Sequence, residues 1–365
     1  MVKLSAIEVM DRKLLKKIIA DGVRAPSGDN LQQWRFEVHG DTLDIYSIEI
    51  FNLHDTNSYA TYISHGALVE NIVISAKYHG YETQVIFFPE SMNCSHTARI
   101  VFMAGEKSDK DGLYAQIKKR ATTRNQSIRH TLFASEVDAI AGVDITDIPD
   151  FRAVYISDRA RTRALARPIA TQIELLFGNK TLHRVFMDNI RFSHTQIRET
   201  QDGIPLESLG LQFHKKIMMK YILRRTSLVP LFKALLFHKF MSLMEISSYK
   251  SSAGYIAIIA KRDCPVTPLY AGRIFERIWL TATRVGLSLQ PTLAVFLLRK
   301  SLSHPDAHVW FSENEQKKIC SAASQIESIV GLHSGEHIVA MFRVAIPKHP
   351  SVPTPRKSPS IIFHT

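Results

Sequence analysis

The segment "HGALVENIVISAKYHGYE" (residues 65–82) organises the fold, because a second segment of the chain repeats its pattern. Shifted by 206 positions, it aligns with "AGRIFERIWLTATRVGLS" (residues 271–288). Both segments carry small and apolar residues at helical spacing, and both close on a glycine, as helix C-termini prefer. The aligned identities are Gly66/Gly272, Glu70/Glu276, Ile72/Ile278, Ala76/Ala282 and Gly80/Gly286. We predict two equivalent helices, paired at the seam of two pseudo-repeated lobes that mimic a homodimer.

The flanking segments alternate between strand and helix patterns, which indicates an α+β fold. The division predicted is a first lobe over 1–108 and a second over 109–365. Residues 180–248 show no strand signal and are predicted to form a helical insertion. The proline-rich tail 347–360 cannot continue a sheet, so it must dangle or wrap. Helices are predicted at 11–22, 111–129 and 159–178, and strands at 35–48 (a hairpin), 83–89, 97–107, 151–158, 254–263 and 337–346.

The formal net charge of +12 invites a nucleic-acid function, but lysine and arginine are spread along the chain and no nucleic-acid-binding motif appears. The main concentration is residues 214–240, with seven Lys/Arg and no acidic residue. Three interpretations remain open for it: a membrane-surface helix, a lid over an anionic ligand, and a solvated basic face. The overall charge favours an anionic small molecule.

Cysteine usage and hydropathy exclude several other classes. Cys94, Cys264 and Cys320 are far apart and form no CxxC pair, so we expect no disulfide framework and no metal site. The first 22 residues mix charge through every turn, unlike a signal peptide. The most apolar stretch, 226–244, is interrupted by Pro230 and Lys233, so no integral membrane span is predicted. Together these features predict a cytoplasmic protein.

Five segments resemble four motifs of the FMN-dependent nitroreductases, in the order of the long, fused-lobe (Acg-like) branch. "RAPSGDNLQQWRFEV" (24–38) resembles their APS-x-x-N-x-QPW-x-F-x-V motif, and the two repeated segments are similar to their interface helices. "IKKRATTRNQSI" (117–128) resembles the arginine-rich turn that holds the flavin phosphate and ribityl chain, and "PRKSP" (355–359) the basic turn closing on that phosphate. The likeness spans most of the chain except 180–248 and implies a nitroreductase-like fold whose insertion forms a lid.

The resemblance also implies how many flavins bind. In the homodimers, one subunit supplies the APS-like segment and the other supplies the arginine turn and the C-terminal basic residue. Here the APS-like segment occurs only in lobe one, and the other two occur only in lobe two. We therefore expect one FMN per chain, bound between the lobes, in a protein that is monomeric because its lobes are fused.

The expected cofactor-binding residues follow from the same motifs. Lobe one would contribute Arg24, Pro26, Ser27, Asn30 and Gln32, whose neutral donors and acceptors suit the ribityl and ring edges. The phosphate would contact the guanidinium groups of Arg120, Arg124 and Arg356 and the hydroxyls of Thr122 and Thr123. For the lobe-one residues an alternative remains open, in which they form only a Pro-Ser-Gly-Asp turn before a helix. A solvated helix end remains open for the 118–124 cluster.

The backbone near Gln290, Pro291 and Thr292 would pass the reactive face of the flavin and donate an N–H to its N5 atom. The sequence departs there from the family's Glu-Gly pair. It departs again at Gln33, where the family has proline; whether Gln33 loosens the turn or adds a hydrogen bond stays open. Trp34, His65 and His238 are interpreted as structural.

The resemblance implies hydride transfer from NAD(P)H to the flavin, then ping-pong reduction of a nitroaromatic or quinone-like small molecule. No Ser-His-Asp set, HExxH motif or Walker loop offers a competing chemistry. The alternative is a lidded protein that binds or sequesters flavin with little turnover.

Overall fold

The computed structural model describes residues 10–48, 55, 58–92, 94–125, 127–129, 131–346, 351 and 353–364. The helices are α1 Arg12–Gly22, α2 Tyr59–Tyr78, α3 Ala134–Ala141, α4 Arg159–Gly178, α5 Lys180–Asp188, α6 His194–Thr200, α7 Phe213–Met218, α8 Val229–Ala234, α9 Phe237–Lys250, α10 Thr267–Arg284, α11 Ala294–Ser301, α12 Ala307–Trp310 and α13 Glu313–Val330. The strands are β1 Trp34–His39, β2 Thr42–Ser47, β3 Tyr81–Phe87, β4 His96–Ala104, β5 Phe151–Ile156, β6 Ile190–Arg191, β7 Ile204–Pro205, β8 Gly254–Ala260, β9 Ser288–Pro291, β10 His337–Ala345 and β11 Ile361–His364. The predicted α+β class is confirmed.

The first lobe is a five-stranded sheet in the order β11-β1-β2-β4-β3, with α1 and α2 against it. Along β3 half-buried and exposed residues alternate, as in a strand with one wet face. The core is formed by Trp34, Phe36, Ile45, Ile72 and Ile100 with their neighbours. Trp34 is a core residue, as predicted.

The second lobe is an antiparallel sheet in the order β5-β8-β10-β9. Every residue of β8 is buried, because helices cover both faces of this sheet. Ile256 and Ile258 pack with α10 on one face, and Tyr255 and Ala257 pack with α4 and α13 on the other.

Helices α2 and α10 pack against each other, with Gly66 facing Gly272 at the contact. The predicted pairing of these two helices is therefore observed. α2 is buried almost all round, because it lies between the sheet of its own lobe and α10. The origin of the lobes by duplication, and the boundary at residue 108, stay predictions.

The C-terminal tail wraps back onto the first lobe. Its last strand, β11, pairs in parallel with β1, so that Phe36 lies opposite Ile361 and His39 opposite His364. A tail that the sequence groups with lobe two thus ends in the sheet of lobe one. Prolines are absent from 360–364, which leaves the β11 amides available for the ladder.

The segment 180–248 is mainly helical, as predicted, and also contains a short parallel pair, β6 and β7. It has an apolar cluster of its own, in which Met187, Ile204, Met219, Leu223 and Phe232 pack together. This core holds the insertion together and joins it to α4 through Phe177.

Two sequence predictions need correction. The helix predicted over 111–129 is wrong in the described part of that range: it contains one short 3₁₀ turn, Tyr114–Gln116, and an extended bridge from Thr122 to Leu289. Arg120 is buried there, and β-branched Thr122 and Thr123 suit an extended path. The prediction also left out β9 and α11–α13, because residues 288–330 follow the repeated segment without a distinct strand signal.

Candidate small-molecule site between the lobes

A cavity of about 270 Å³ lies between the lobes, close to the lower limit of about 300 Å³ for typical small-molecule sites. Lobe one contributes the loop before β1 and the start of α2. Lobe two contributes the 120–124 loop, α10, β9 and α11, and the tail contributes residues 354 and 356. Ten of the thirteen predicted cofactor-binding residues line the cavity: Arg24, Pro26, Ser27, Asn30, Arg120, Thr122, Arg124, Gln290, Pro291 and Arg356. Gln32, Thr123 and Thr292 are buried behind it.

The loop before β1 holds an unusual backbone. Asp29, Asn30 and Gln32 have φ angles of 48°, 59° and 57°, in the left-handed region that costs non-glycine residues energy. Asn30 and Gln32 hold this shape through contacts made across the protein. Asn30 Nδ2 donates to the Gly203 and Pro355 carbonyls, both at 3.1 Å. Gln32 Nε2 donates to the Gln201 carbonyl at 2.8 Å, and its Oε1 accepts from Lys357 N at 2.8 Å. Both amides therefore bridge the insertion and the tail.

Gln33 adds a contact where the sequence left its role open. Its side-chain amide lies 3.2 Å from Thr61 Oγ1, and its carbonyl accepts from His65 Nε2 at 3.0 Å. His65 is fully buried, and burial lowers its pKa to about 4. The ring is therefore neutral at pH 7 and joins α2 to the loop, which agrees with its predicted structural role.

Asp55 and Thr61 also line the cavity, although sequence reasoning missed them. Asp55 accepts hydrogen bonds from the amides of Ala60 and Thr61 at 2.7 and 2.8 Å, and so satisfies the first turn of α2. Burial raises the pKa of Asp55 to about 6. The signal available in the sequence was an aspartate shortly before a helix.

Guanidinium groups crowd one end of the cavity. Arg120 is buried against Glu276, with Nε and Oε1 3.1 Å apart, and its Cζ lies 4.5 Å from the centre of the Trp279 ring. Its NH2 donates to the Arg24 carbonyl at 2.6 Å. Within the described residues, Arg24 Nε is buried without a hydrogen-bond partner. The cluster thus has a polar atom that protein groups do not satisfy.

Arg356 has a different set of contacts. Its guanidinium donates to the carbonyls of Val23, Arg24 and Ala25 at 2.9, 3.1 and 3.0 Å, and to Asn30 Oδ1 at 2.8 Å. Each nitrogen already donates to a protein acceptor. Arg356 therefore fastens the tail to lobe one and adds its charge to the cavity.

The pKa shifts of the arginines and of Glu276 indicate that the positive charge of the guanidinium cluster is poorly compensated. Burial, then Arg120 and Arg24, lower the pKa of Arg356 to about 9, and Glu276 opposes this. Burial also lowers the pKa of Arg24, Arg120 and Arg124. Burial raises the pKa of Glu276, against the effect of Arg120. An anion in the cavity would oppose the lowering of the arginine pKa values, and it would raise the pKa of Glu276 further.

Thr122 faces the cavity, whereas Thr123 lies behind it, with Oγ1 2.5 Å from Ser351 Oγ and its amide donating to the Leu289 carbonyl at 3.1 Å. Arg124 NH1 donates to the Ser208 carbonyl at 3.1 Å. The loop is therefore held by β9, the tail and the insertion.

The main-chain donor predicted near Gln290, Pro291 and Thr292 is not available at those residues. The Thr292 amide donates to the Met341 carbonyl at 2.9 Å, and Pro291 has no N–H. Gln290 lies two residues before Thr292 along the same antiparallel ladder and pairs with Arg343 of β10. Because N–H groups two residues apart on a strand point the same way, the Gln290 N–H also points toward β10. Beside the cavity, the first turn of α11 has main-chain N–H groups without intrahelical partners, and Leu293 and Ala294 line the cavity there.

The insertion is hydrogen-bonded to the same loop. In addition to the bonds from Asn30 and Gln32, Asn189 Nδ2 donates to Asp29 Oδ2 at 2.9 Å. Asp202 Oδ2 lies 2.7 Å from Lys357 Nζ, and Ile204 lines the cavity. The insertion, loop and tail thus form one hydrogen-bonded clasp, a long-range arrangement without a local sequence signal.

The chain matches no protein-family model, and no curated protein matches it by sequence. Some solved structures are similar. An iodotyrosine deiodinase bound to FMN and 3-iodo-L-tyrosine is 13% identical, covering 67% of this chain and 95% of that one, with a TM-score of 0.34. The FMN and NADPH-dependent nitroreductase NfnB from Sphigopyxis sp. strain HMH is 12% identical, covering 67% and 94%, with a TM-score of 0.37. An FMN-bound nitroreductase from Bacteroides fragilis is 7% identical, covering 67% and 92%, with a TM-score of 0.33. Likenesses at this level carry no functional assignment.

Proposed function

We propose that this chain binds one FMN in the cavity between its lobes and acts as an NAD(P)H-dependent oxidoreductase on a small electron acceptor of the nitroaromatic or quinone class. The observation that carries the proposal is the under-compensated guanidinium cluster of Arg24, Arg120 and Arg356, in which Arg24 Nε is buried and unpartnered within the described residues. A phosphate supplies the missing charge and acceptors. The three segments that resemble flavin-binding motifs all reach this cavity, which supports the choice of FMN.

Arg24 and Arg120 would hold the phosphate, since their guanidinium groups are the least satisfied. The charges of Arg356 and Glu276 would set the electrostatic potential around the phosphate. The side chains of Ser27, Thr122 and Gln290 would meet the ribityl chain or ring. Trp279 and Phe275 of α10 supply an apolar wall that excludes water. When bound, FMN would take two electrons from NAD(P)H and pass them to the acceptor.

A second function, flavin binding with little turnover, is favoured by the clasp. The bonds from Asn30, Gln32 and Asn189 tie the insertion over the loop that would contact the cofactor. A closed clasp excludes water from the cavity, and it also restricts the entry of a nicotinamide.

Anaerobic titration of the purified protein with NADH and with NADPH, followed by flavin absorbance, tests both functions. The reductase predicts a yellow protein bleached by one or both nucleotides. Bleaching by dithionite alone would favour sequestration. A protein that stays colourless after incubation with FMN would exclude both.

A further inference from the structure

The insertion exposes much of the apolar surface that this protein leaves in solvent. Of nineteen large hydrophobic side chains exposed among the described residues, ten lie within residues 213–244. We call them the 213–244 surface: Phe213, Ile217, Tyr221, Ile222, Leu231, Leu235, Leu236, Phe240, Leu243 and Met244. Exposed apolar residues scattered singly are ordinary, whereas such a concentration indicates an interaction surface.

Their spacing shows that these residues form the outer faces of helices whose inner faces are already packed. Phe213, Ile217 and Tyr221 recur every four residues along α7 and the π turn that follows it. On the inner side of the same turn, Met219 and Leu223 are buried in the insertion's core. The outer apolar residues therefore add nothing to that core.

Two neighbouring leucines are exposed at the break between α8 and α9. Leu235 and Leu236 lie at this break, 69% and 55% exposed. Leu236, the residue before α9, has a φ of 55°, a strained conformation for a leucine. Two exposed leucines at a helical bend form a compact apolar tip.

Basic residues surround the tip and the helices. Residues 214–240 contain seven Lys/Arg and no acidic residue. Arg224, Arg225 and Lys239 are exposed among the apolar side chains, and Lys233 is exposed with its Nζ 3.9 Å from Glu315 Oε1. The partner that matches apolar and basic groups on one surface is an anionic lipid interface, because its acyl layer accepts the former and its headgroups the latter.

The geometry favours lying on a membrane over crossing it. No single described helix has the length and hydropathy for a span, and the pair Thr226–Ala234 and Phe237–Lys250 reaches them only together, across a bend of 86°. We propose that the 213–244 surface docks this protein on an anionic phospholipid bilayer, with Leu235 and Leu236 entering the headgroup boundary. The proposal does not depend on flavin binding.

Flotation of the full chain with phosphatidylcholine vesicles, with and without phosphatidylserine, tests this inference. We expect binding only when phosphatidylserine is present, and loss of binding as salt rises. The variant Leu235→Gln/Leu236→Asn should weaken partitioning about tenfold or more, and asparagine suits the positive φ, so the fold is preserved. Val309→Gln is the matched control, because Val309 is 70% exposed on a different helix.

The charge contribution has its own pair of variants. Arg224→Gln/Arg225→Gln should lower partitioning about 10- to 30-fold, as the loss of two interfacial charges predicts. Lys118→Gln/Lys119→Gln removes the same amount of charge outside the insertion, just before the 120–124 loop. This control should leave vesicle partitioning unchanged. Absence of flotation, or equal binding of all four variants, would overturn the proposal. A concentration-dependent dimer in light scattering that only the leucine variant abolishes, without vesicle binding, would assign the surface to a second copy instead.

Discussion

Gly66 of α2 and Gly272 of α10 lie against each other where the two helices cross. A Cβ on Gly66 would lie 2.9 Å from the Gly272 Cα and 1.9 Å from the Leu269 carbonyl oxygen, and a Cβ on Gly272 would lie 2.8 Å from the Gly66 Cα. These two residues are also aligned by the internal repeat. The absence of a side chain at both positions therefore allows α2 and α10 to pack this closely.

Alanine at either glycine should force the two helices apart. We expect Gly66→Ala and Gly272→Ala each to lower the free energy of unfolding by about 2–4 kcal/mol, as overpacking against backbone cannot relax through a side chain. Chemical denaturation followed by circular dichroism measures this. Gly28→Ala is the control, since a Cβ there meets nothing within 4 Å. Equal stability of all three variants would contradict the close approach.

The guanidinium cluster predicts how flavin retention responds to substitution. Arg24→Ala and Arg120→Ala should each weaken FMN binding by roughly 1.5–3 kcal/mol, the usual loss for a hydrogen bond to a charged group. Ultrafiltration of the holoprotein with fluorescence of the released flavin gives the affinity. Arg129→Ala, which breaks an ion pair with Glu136 outside the cavity, should leave it unchanged.

Loss of Arg120 alone also strands the buried Glu276 carboxylate, so its effect on folding must be separated from its effect on the ligand. The double variant Arg120→Gln/Glu276→Gln removes both charges and should recover stability while FMN binding stays weak. Recovery of FMN affinity in the double variant would refute the phosphate assignment to Arg120.

The hydrogen bonds of Asn30 predict that one side chain holds the tail in place. Asn30→Gly keeps the positive φ and removes the acceptor for Arg356 and the donor to Pro355. We expect the β11 amides to exchange with solvent about 10- to 100-fold faster, for a loss of about 1–3 kcal/mol. Hydrogen-exchange mass spectrometry measures this, and β4 of the same sheet serves as the internal reference. Unchanged protection of β11 would mean that the strand ladder and the contacts of Arg356 and Lys357 hold the tail without Asn30.

The buried His65 predicts a pH dependence of stability. The pKa of His65 is about 4 in the folded protein and 6.5 in an unfolded chain. Between pH 6.5 and pH 4, the unfolded state therefore binds a proton that the folded state does not bind. Stability therefore falls as the pH drops from 6.5 to 4, by about 3 kcal/mol from this group. Asp55, with its pKa raised to about 6, contributes the opposite slope in an overlapping window.

Comparison with His65→Gln isolates the histidine, because both proteins share Asp55. The stability difference between wild type and variant should shrink by about 3 kcal/mol as denaturation curves are taken from pH 7.5 to 4. Parallel curves across that range would show that His65 has the same pKa in the folded and unfolded states.

Much of the architecture could be predicted from local patterns. The spacing of apolar residues in 65–82 and 271–288 predicts two long helices, and their glycines predict a close contact, because helical periodicity and the absence of a Cβ are properties of the chain itself. The same holds for the first hairpin and for β8. Segment 111–129 misled this reasoning, since burial of Arg120 beside Glu276 overrides the helix propensity of its lysines and alanine.

The motifs also identified ten residues that meet at one cavity, but not what each of them does there. Asn30 and Gln32 direct their hydrogen bonds to the insertion and the tail, and Arg356 of the tail donates to lobe one, while Arg24 and Arg120 are left under-satisfied. Those differences come from contacts across 150 to 330 residues of chain. No local pattern encodes them, because a side chain's partner is settled by how the lobes, insertion and tail pack, whereas its helix or strand preference is already present in its neighbours.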